Sequence, residues 1–396
     1  MSISQSVRKA LEASSWVRRM FELGLEMKKQ FGDDQVFDLS LGNPVLEPPK
    51  EFHQELRRLA EAPIPGMHRY MPNAGIKETR MAVASRLARE TGLSFTENEI
   101  IMASGAGGAL NVIFKTILNP GEEVLVPAPF FWEYIAYAGN HGGSVRAIPT
   151  GKDFQLDLGV IEEEVTSATR AIIINSPNNP TGVVYSPEML KSLGALLSKL
   201  SEKLNTLIYL ISDEPYARII FDGLEYPYVY PFYSPTIVAT SFSKDLSLAG
   251  ERIGYIAVHP DFNGKLELIE GLTYSTRVLG FVNAPAMMQR AVQASIDLNV
   301  DVGWYQTQRD RLCRSLEDMG YQFVHPQGAF YLFPKAPIAD DVAFAQELIS
   351  HRVLVTPGVG FGGPGHFRIS YSVEERVLEG ALHGLSLAAR AHGLPG

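Results

Sequence analysis

From Glu99 to Pro260 short apolar runs alternate with stretches of helical spacing. "EIIMAS" predicts a strand, "GGALNVIFKTIL" a helix ended by the turn residues "NPGEEV", and "EVLVPAP" a second strand. "FFWEYIAYAGNHGG" predicts a helix closed by glycine. "SVRAIPT", "RAIIINSP", "TLIYLISDEP", "TIVATSF" and "RIGYIAVH" follow as further strands, with the helix "SPEMLKSLGALLSKLSEKL" between two of them. Several runs are apolar at consecutive positions, as in strands covered on both faces. Strands alternating with helices imply an α/β fold, with a mostly parallel sheet wrapped in helices.

After about Phe281 the pattern changes. Two long helical stretches are predicted from roughly Asn283 to Glu317, followed by "FYLFPK", a helix near "DDVAFAQELISH", the strands "RVLVTP" and "HFRISYS", and a closing helix from about Val373. This reads as a smaller α+β domain. The expected division is an N-terminal arm and part of the small domain over 1–50, a large domain over 51–290, and the C-terminal small domain with its connecting helix over 291–396. The arm lacks a sheet of its own, so it is expected to pack on the small domain or on a partner subunit.

The length, 396 residues, suits two or three packed units. A net charge of −9 gives no electrostatic footprint for nucleic acid or an anionic membrane. No apolar run reaches membrane-spanning length. The first thirty residues are amphipathic and lack the continuous apolar segment of a signal peptide, and Glu12, Glu22 and Glu26 argue against a transit peptide. The single cysteine, Cys313, rules out an intramolecular disulfide and suggests a reducing, cytoplasmic setting.

Four clusters fall at the predicted carboxyl ends of the large domain's strands, where open α/β sheets bind ligands. "SGAGGA" (Ser104 to Ala109) can bring backbone N–H groups and a helix N-terminus to an anion, or serve as a plain tight turn. "NSPNNPTG" (Asn175 to Gly182) can fix the Asn179 amide to donate to a ligand oxygen, or form an Asx-type turn. In "SDEPYARI" Asp213 can hold a positively charged ring nitrogen, or cap a helix, and Tyr216 lies three residues on. In "SFSKDLSLAGERIGY" Lys244 can form an imine with an aldehyde, while Ser241, Ser243 and Arg252 can hold a phosphate; the plainer alternative is a solvated loop with an ion pair. Together the clusters ask for an aldehyde, a phosphate, a phenolic oxygen and a ring nitrogen. Pyridoxal 5′-phosphate has all four.

Over nearly its full length the chain resembles a fold-type I, class I/II aminotransferase, through the lysine segment, the asparagine loop, and their order and spacing. The resemblance implies that Lys244 bonds the cofactor aldehyde and then moves the 1,3-proton, and that Asp213 keeps the pyridine nitrogen protonated. It implies that Asn179 and Tyr216 bond the phenolic oxygen. Gly105, Ala106, Gly107, Ser241, Ser243 and Arg252 would bind the phosphate. Phe131, rather than Trp132, would stack on the ring, and Tyr70 in "RYMPNAG" would reach a phosphate across a homodimer interface with shared active sites. Arg368 in "FRISYS" would grip the substrate α-carboxylate, with Gly42 in "SLGNP" making a backbone contact nearby. The implied partners are a small amino acid and a 2-oxo acid, turned over by a ping-pong mechanism.

Other motifs read differently. "GVGFGGPG" contains a G-x-G-x-x-G, but Pro364 and a strand follow where a dinucleotide site needs a helix, so it is read as a loop leading to Arg368. The nine histidines show no metal-ligand spacing, and His366 reads as a loop residue. "IEEEV" at 161–165 reads as a solvated helix face. Some aminotransferases acting on dicarboxylates carry a basic residue in the glycine-rich turn, where Gly107 stands here. Neutral or aromatic amino acids, with pyruvate or 2-oxoglutarate as acceptor, are therefore the first expectation. An aspartate-type aminotransferase and a β-eliminating C–S lyase using the same cofactor are the alternatives. A cofactor-binding regulator is opposed by the acidic balance and by the use of nearly every residue in the enzyme domains.

Overall fold

The computed structural model describes residues 2–12 and 16–396. Residue 1 and residues 13–15 of the N-terminal arm lie outside the described residues. The arm carries α1 (Gln5–Glu12), α2 (Trp16–Phe31) and β1 (Phe37–Asp38). Next come α3 (Lys50–Glu61) and α4 (Lys77–Thr91). The alternating region then gives β2 (Ile100–Ala103), α5 (Gly105–Ile117), β3 (Glu123–Ala128), α6 (Glu133–Gly139), β4 (Ser144–Pro149), α7 (Leu158–Glu164) and β5 (Thr169–Asn175). It continues with α8 (Pro187–Leu204), β6 (Tyr209–Asp213), β7 (Thr236–Ser241), β8 (Gly254–Val258) and α9 (Lys265–Val278).

β2 to β8 form one seven-stranded sheet in the order β2-β8-β7-β6-β5-β3-β4. β8 is antiparallel to both neighbours, and the other pairs are parallel. The runs apolar at consecutive positions are covered on both faces, as expected. Leu125, Ile172, Ile174, Leu210 and Val238 face one buried cluster, while their neighbours Val124, Ala171, Ile173, Ile211 and Ile237 face another. α8 shows the local logic of the covering helices: Ser186 caps its first turn by accepting from Met189 N–H at 3.2 Å, Pro187 opens it, and Asn205 in the left-handed conformation closes it. Glu162 and Glu163 of α7 are exposed, as the solvated-face reading requires.

Beyond the sheet stand α10 (Ala286–Ala294), α11 (Val302–Asp318), β9 (Tyr331–Leu332), α12 (Asp341–Ser350), β10 (Val353–Leu354), β11 (Thr356–Pro357), β12 (Phe367–Ser370) and α13 (Glu375–Ala391). They enclose a separate cluster that includes Tyr305, Leu312, Phe330, Phe344, Phe367 and Leu385. Two expectations change here. The first of the two long helices is only nine residues, because residues 295–301 run as turn and irregular chain. The "RVLVTP" strand is split at Val355: β10 pairs in parallel with β1, whereas β11 pairs antiparallel with β12, so one extended run serves two small sheets. The arm therefore does contribute a strand, and Met20, Met27 and Val36 pack with Leu354. "GVGFGGPG" forms a single 3-10 turn, Gly358–Phe361, and then leads to β12 and Arg368.

Candidate active site

Parallel register puts the carboxyl ends of β5, β6 and β7 side by side: Asn175 lies opposite Asp213, and Asp213 opposite Ala239. Over these ends opens a cavity of about 290 Å³. Gly42, Ala106, Gly107, Phe131, Asn179, Asp213, Tyr216, Ser241, Ser243, Lys244, Arg252 and Arg368 all line it. Seven segments far apart in sequence thus meet at one place.

Lys244 is nearly enclosed. Its Nζ donates to the Gly42 carbonyl at 2.6 Å and lies 5.5 Å from the centre of the Phe330 ring. Burial, then the positive fields of Arg368 and Arg252, push its pKa down to about 7. Asp213 closes β6. Its Oδ2 accepts from the Tyr134 hydroxyl at 2.5 Å, and its buried Oδ1 has no protein partner. Burial pushes its pKa up to about 7, against the Tyr134 hydrogen bond, which lowers it.

The asparagine loop is fixed from below. Asn175 donates to the Asp213 carbonyl at 2.8 Å, and its side-chain oxygen accepts from the Asn179 N–H at 2.7 Å. The Asn179 side-chain oxygen accepts from Arg368 Nη1 at 2.9 Å, which leaves its NH2 group to donate. Arg368 is itself buried. It donates also to the Ser40 carbonyl, and it lies 4.6 Å over Tyr331 and 4.7 Å over Phe361, with Nε unpartnered. Burial lowers its pKa from the usual arginine value. The Tyr216 and Tyr331 hydroxyls share a hydrogen bond of 2.8 Å, and burial raises both phenols.

One end of the cavity is built from the start of α5 and the serine turn. Gly105 has φ +72°, and a Cβ there would lie 2.5 Å from Arg252 Nη2. Only glycine lets the start of α5 approach that guanidinium. Arg252 donates to the Ala249 carbonyl at 3.0 Å, in a left-handed turn that holds it beside Ser241 and Ser243. Gly105 itself does not line the cavity. Phe131 does, whereas Trp132 stacks on Phe130 at 5.8 Å. Tyr70 is not brought in: it is 91% exposed and borders a separate cavity of about 210 Å³. His366 stacks on Phe333 at 5.1 Å, outside the site.

Sequence reasoning missed Val17, Tyr134, Tyr137 and Tyr331. Tyr134 stands three residues after Phe131 at the start of α6, a same-face spacing that carries the signal. Tyr331 showed only strand alternation, and Val17 of α2 gave no cue.

Two buried polar atoms thus await a partner, Asp213 Oδ1 and Arg368 Nε, beside a lysine whose amine is half-neutral near pH 7 and a cradle of serines, small residues and a guanidinium. That donor set fits a flat ligand with a basic ring nitrogen, a phenolic oxygen, an aldehyde and a phosphate. The fold and cavity define a fold-type I pyridoxal-phosphate enzyme. The model of the family "Aminotransferase class I and II" matches residues 34–385, and the chain belongs to that family and is a pyridoxal-phosphate-dependent aminotransferase. It is 33% identical over 373 residues to the aspartate/prephenate aminotransferase of Thermus thermophilus, covering 90% of this chain and 91% of that protein. It is 31% identical over 355 residues to the aspartate aminotransferase of Thermotoga maritima, covering 88% and 90%. A crystal structure of an amino transferase from Eubacterium rectale superposes with a TM-score of 0.95 at 34% identity, covering 99% of this chain and all of that one. No helix among the described residues is long and apolar enough to cross a membrane, and no group of three or more His, Cys, Asp or Glu among them is placed to hold a metal ion.

Proposed function

We propose that this aminotransferase takes its amino group from an L-amino acid with a neutral or aromatic side chain, and that Lys244 bonds the cofactor. The observation that carries the substrate reading is the charge of the cavity wall. Among the described residues lining it, the cations are Lys244, Arg252 and Arg368. Each has a use: amine chemistry, phosphate and α-carboxylate. The wall left for a side chain is Val17, Leu110, Tyr137 and Tyr331, and among the described residues it offers no cation for a second carboxylate. Relatives named for aspartate supply the competing reading.

When bound, the pyridoxal-phosphate ring supplies an electron sink for charge released at the substrate α-carbon. The protein's groups do the rest. Arg368, held flat between Tyr331 and Phe361, presents its guanidinium to the α-carboxylate. Asp213, kept in place by Tyr134, would hold a proton on the ring nitrogen through its unpartnered Oδ1. Asn179 and Tyr216 would donate to the phenolic oxygen. Ser241, Ser243, Arg252 and the backbone of Ala106 and Gly107 would bind the phosphate, with Gly105 letting α5 approach Arg252 from outside the cavity. Lys244, half-neutral near pH 7, would take the α-proton and return it at the cofactor carbon. A 2-oxo acid leaves, and a second one runs the steps backward, which gives ping-pong kinetics.

We also propose a cytoplasmic homodimer with shared sites. The fully displayed Tyr70, outside its own cavity, and the exposed Val7, Leu11, Phe21 and Leu25 on the arm support the dimer. The single, buried Cys313 supports a reducing compartment. A half-reaction screen tests the substrate. Each amino acid is mixed with the enzyme, and conversion to the pyridoxamine form is followed by absorbance. Aromatic or neutral amino acids are expected to react fastest; faster conversion by aspartate would overturn the reading. Release of pyruvate and ammonia from a sulfur amino acid, without added 2-oxo acid, would replace it with the lyase.

A further inference from the structure

The chain leaves the large sheet's core and enters the second core between Ile296 and Val300: Ile296 packs in the cluster of Ala291 and Val292, and Val300 in that of Tyr305 and Leu312. This crossover, residues 295–301, is irregular, so its backbone groups need outside partners. Two arginines of the large unit supply them. Arg86 of α4 donates to the Ile296 carbonyl at 2.9 Å, and Arg218 to those of Leu298 at 2.6 Å and Asp297 at 3.1 Å. Arg86 also has Glu90 at 3.7 Å, but Arg218 has the buried carboxylate of Asp245, at 3.5 Å. The Val300 N–H donates to the Asp245 backbone carbonyl at 2.8 Å.

Asp245 follows Lys244 directly. Lys244 faces the main cavity, while Asp245 faces a small second cavity behind it, shared with Arg86 and Arg218. One dipeptide therefore faces the reacting groups with one side chain and, with the other, holds the arginine that clamps the crossover. We propose that Asp245 is a positioning residue that couples the bonding state of Lys244 to the stiffness of the 295–301 crossover. The proposal rests on the assignment of Lys244 to the cofactor.

The physical reasoning is direct. A covalent link through Lys244 restricts its backbone and that of the next residue. The Val300 amide exchanges only when its bond to Asp245 opens, so restricting one partner slows the opening. The Asp245 carboxylate extends the effect to residues 296–298 by holding Arg218 in place. Linkage makes the coupling reciprocal: a looser crossover weakens the bonding of Lys244.

Hydrogen–deuterium exchange of the holoenzyme tests this, comparing the aldehyde form, in which Lys244 is bonded, with the amine form of the same cofactor, in which it is free. Peptides spanning 295–301 are expected to exchange about fivefold or more slowly in the aldehyde form. In Asp245→Asn the ratio over residues 296–298, which the carboxylate reaches through Arg218, is expected to fall below about twofold, with β3 as protected as in the unaltered enzyme. A residue that merely stabilised the fold would raise exchange equally in both forms. Arg218→Gln is expected to behave like Asp245→Asn, and it serves if the first variant does not fold. Equal exchange of the two forms in the unaltered enzyme, or an undiminished ratio in a folded variant, would overturn the proposal. Failure of the Lys244 assignment would show separately, as a near-visible cofactor band that survives in Lys244→Ala.

Discussion

The two walls of the cavity are built differently. One is made by the ends of β5, β6 and β7 and the turns after them, and its residues lie in short contiguous runs: Asn175 to Asn179, Asp213 to Tyr216, Ser241 to Lys244. The other brings Val17 and Gly42 from the first fifty residues to Tyr331 and Arg368, about three hundred residues later in the chain. On the first wall, sheet register does the positioning, and each side chain inherits its place from its strand. On the second, three of the four depend on a hydrogen-bond partner from elsewhere: Arg368 on Ser40 and Asn179, Tyr331 on Tyr216, Gly42 on Lys244.

The largest effect is expected at Lys244, on the register-built wall. Lys244→Ala should abolish the near-visible absorbance of the bound cofactor and cut turnover by more than about ten-thousand-fold. An unchanged spectrum would contradict the assignment. Arg368 tests the gathered wall. Arg368→Ala should raise KM about a hundredfold for every amino acid, the cost of losing one partner of a buried charge pair. A loss confined to one side-chain class would move Arg368 from the carboxylate to the side-chain pocket.

Tyr134→Phe probes where the two kinds of wall overlap, since Asp213 is placed by register but oriented by a residue from α6. Losing that donor should lower kcat about tenfold. The hydrogen bond lowers the Asp213 pKa, so its loss raises it, and the acid limb of the pH–rate profile should move to higher pH. An unmoved limb would make Tyr134 a packing residue only. The smallest change is in stability. Burial raises the Glu214 pKa to about 7, above its unfolded value. The folded state therefore binds its proton more tightly. The resulting stability is fully present below the unfolded pKa, and it is lost as pH rises through about 7. Glu214→Gln should flatten that slope, removing on the order of a few kcal/mol of pH dependence in denaturant titrations.

The same contrast explains what could be read from the residues alone. The α/β alternation was visible because the central strands are apolar on both faces, and the lysine, aspartate and asparagine runs were visible because register keeps a strand end and its turn together. In α4 a buried cation, Arg86, which donates to Ile296 and Tyr255, interrupts the apolar stripe that would mark the helix in the sequence. The break at Val355 was hidden because one extended run can pair with two sheets without any change in composition. Tyr331 and Val17 were hidden for the reason that defines their wall: their partners are distant in sequence.

Position 42 shows what this arrangement permits. A methyl group there would sit 1.8 Å from the Tyr331 hydroxyl, which in turn steadies Tyr216, while the carbonyl of the same residue receives the Lys244 amine. Redesign of substrate scope has no room to begin at that position, since any added atom would disturb both the phenol pair and the amine. Val17 and Leu110, which line the cavity, leave more freedom for enlarging or narrowing the space offered to an incoming side chain.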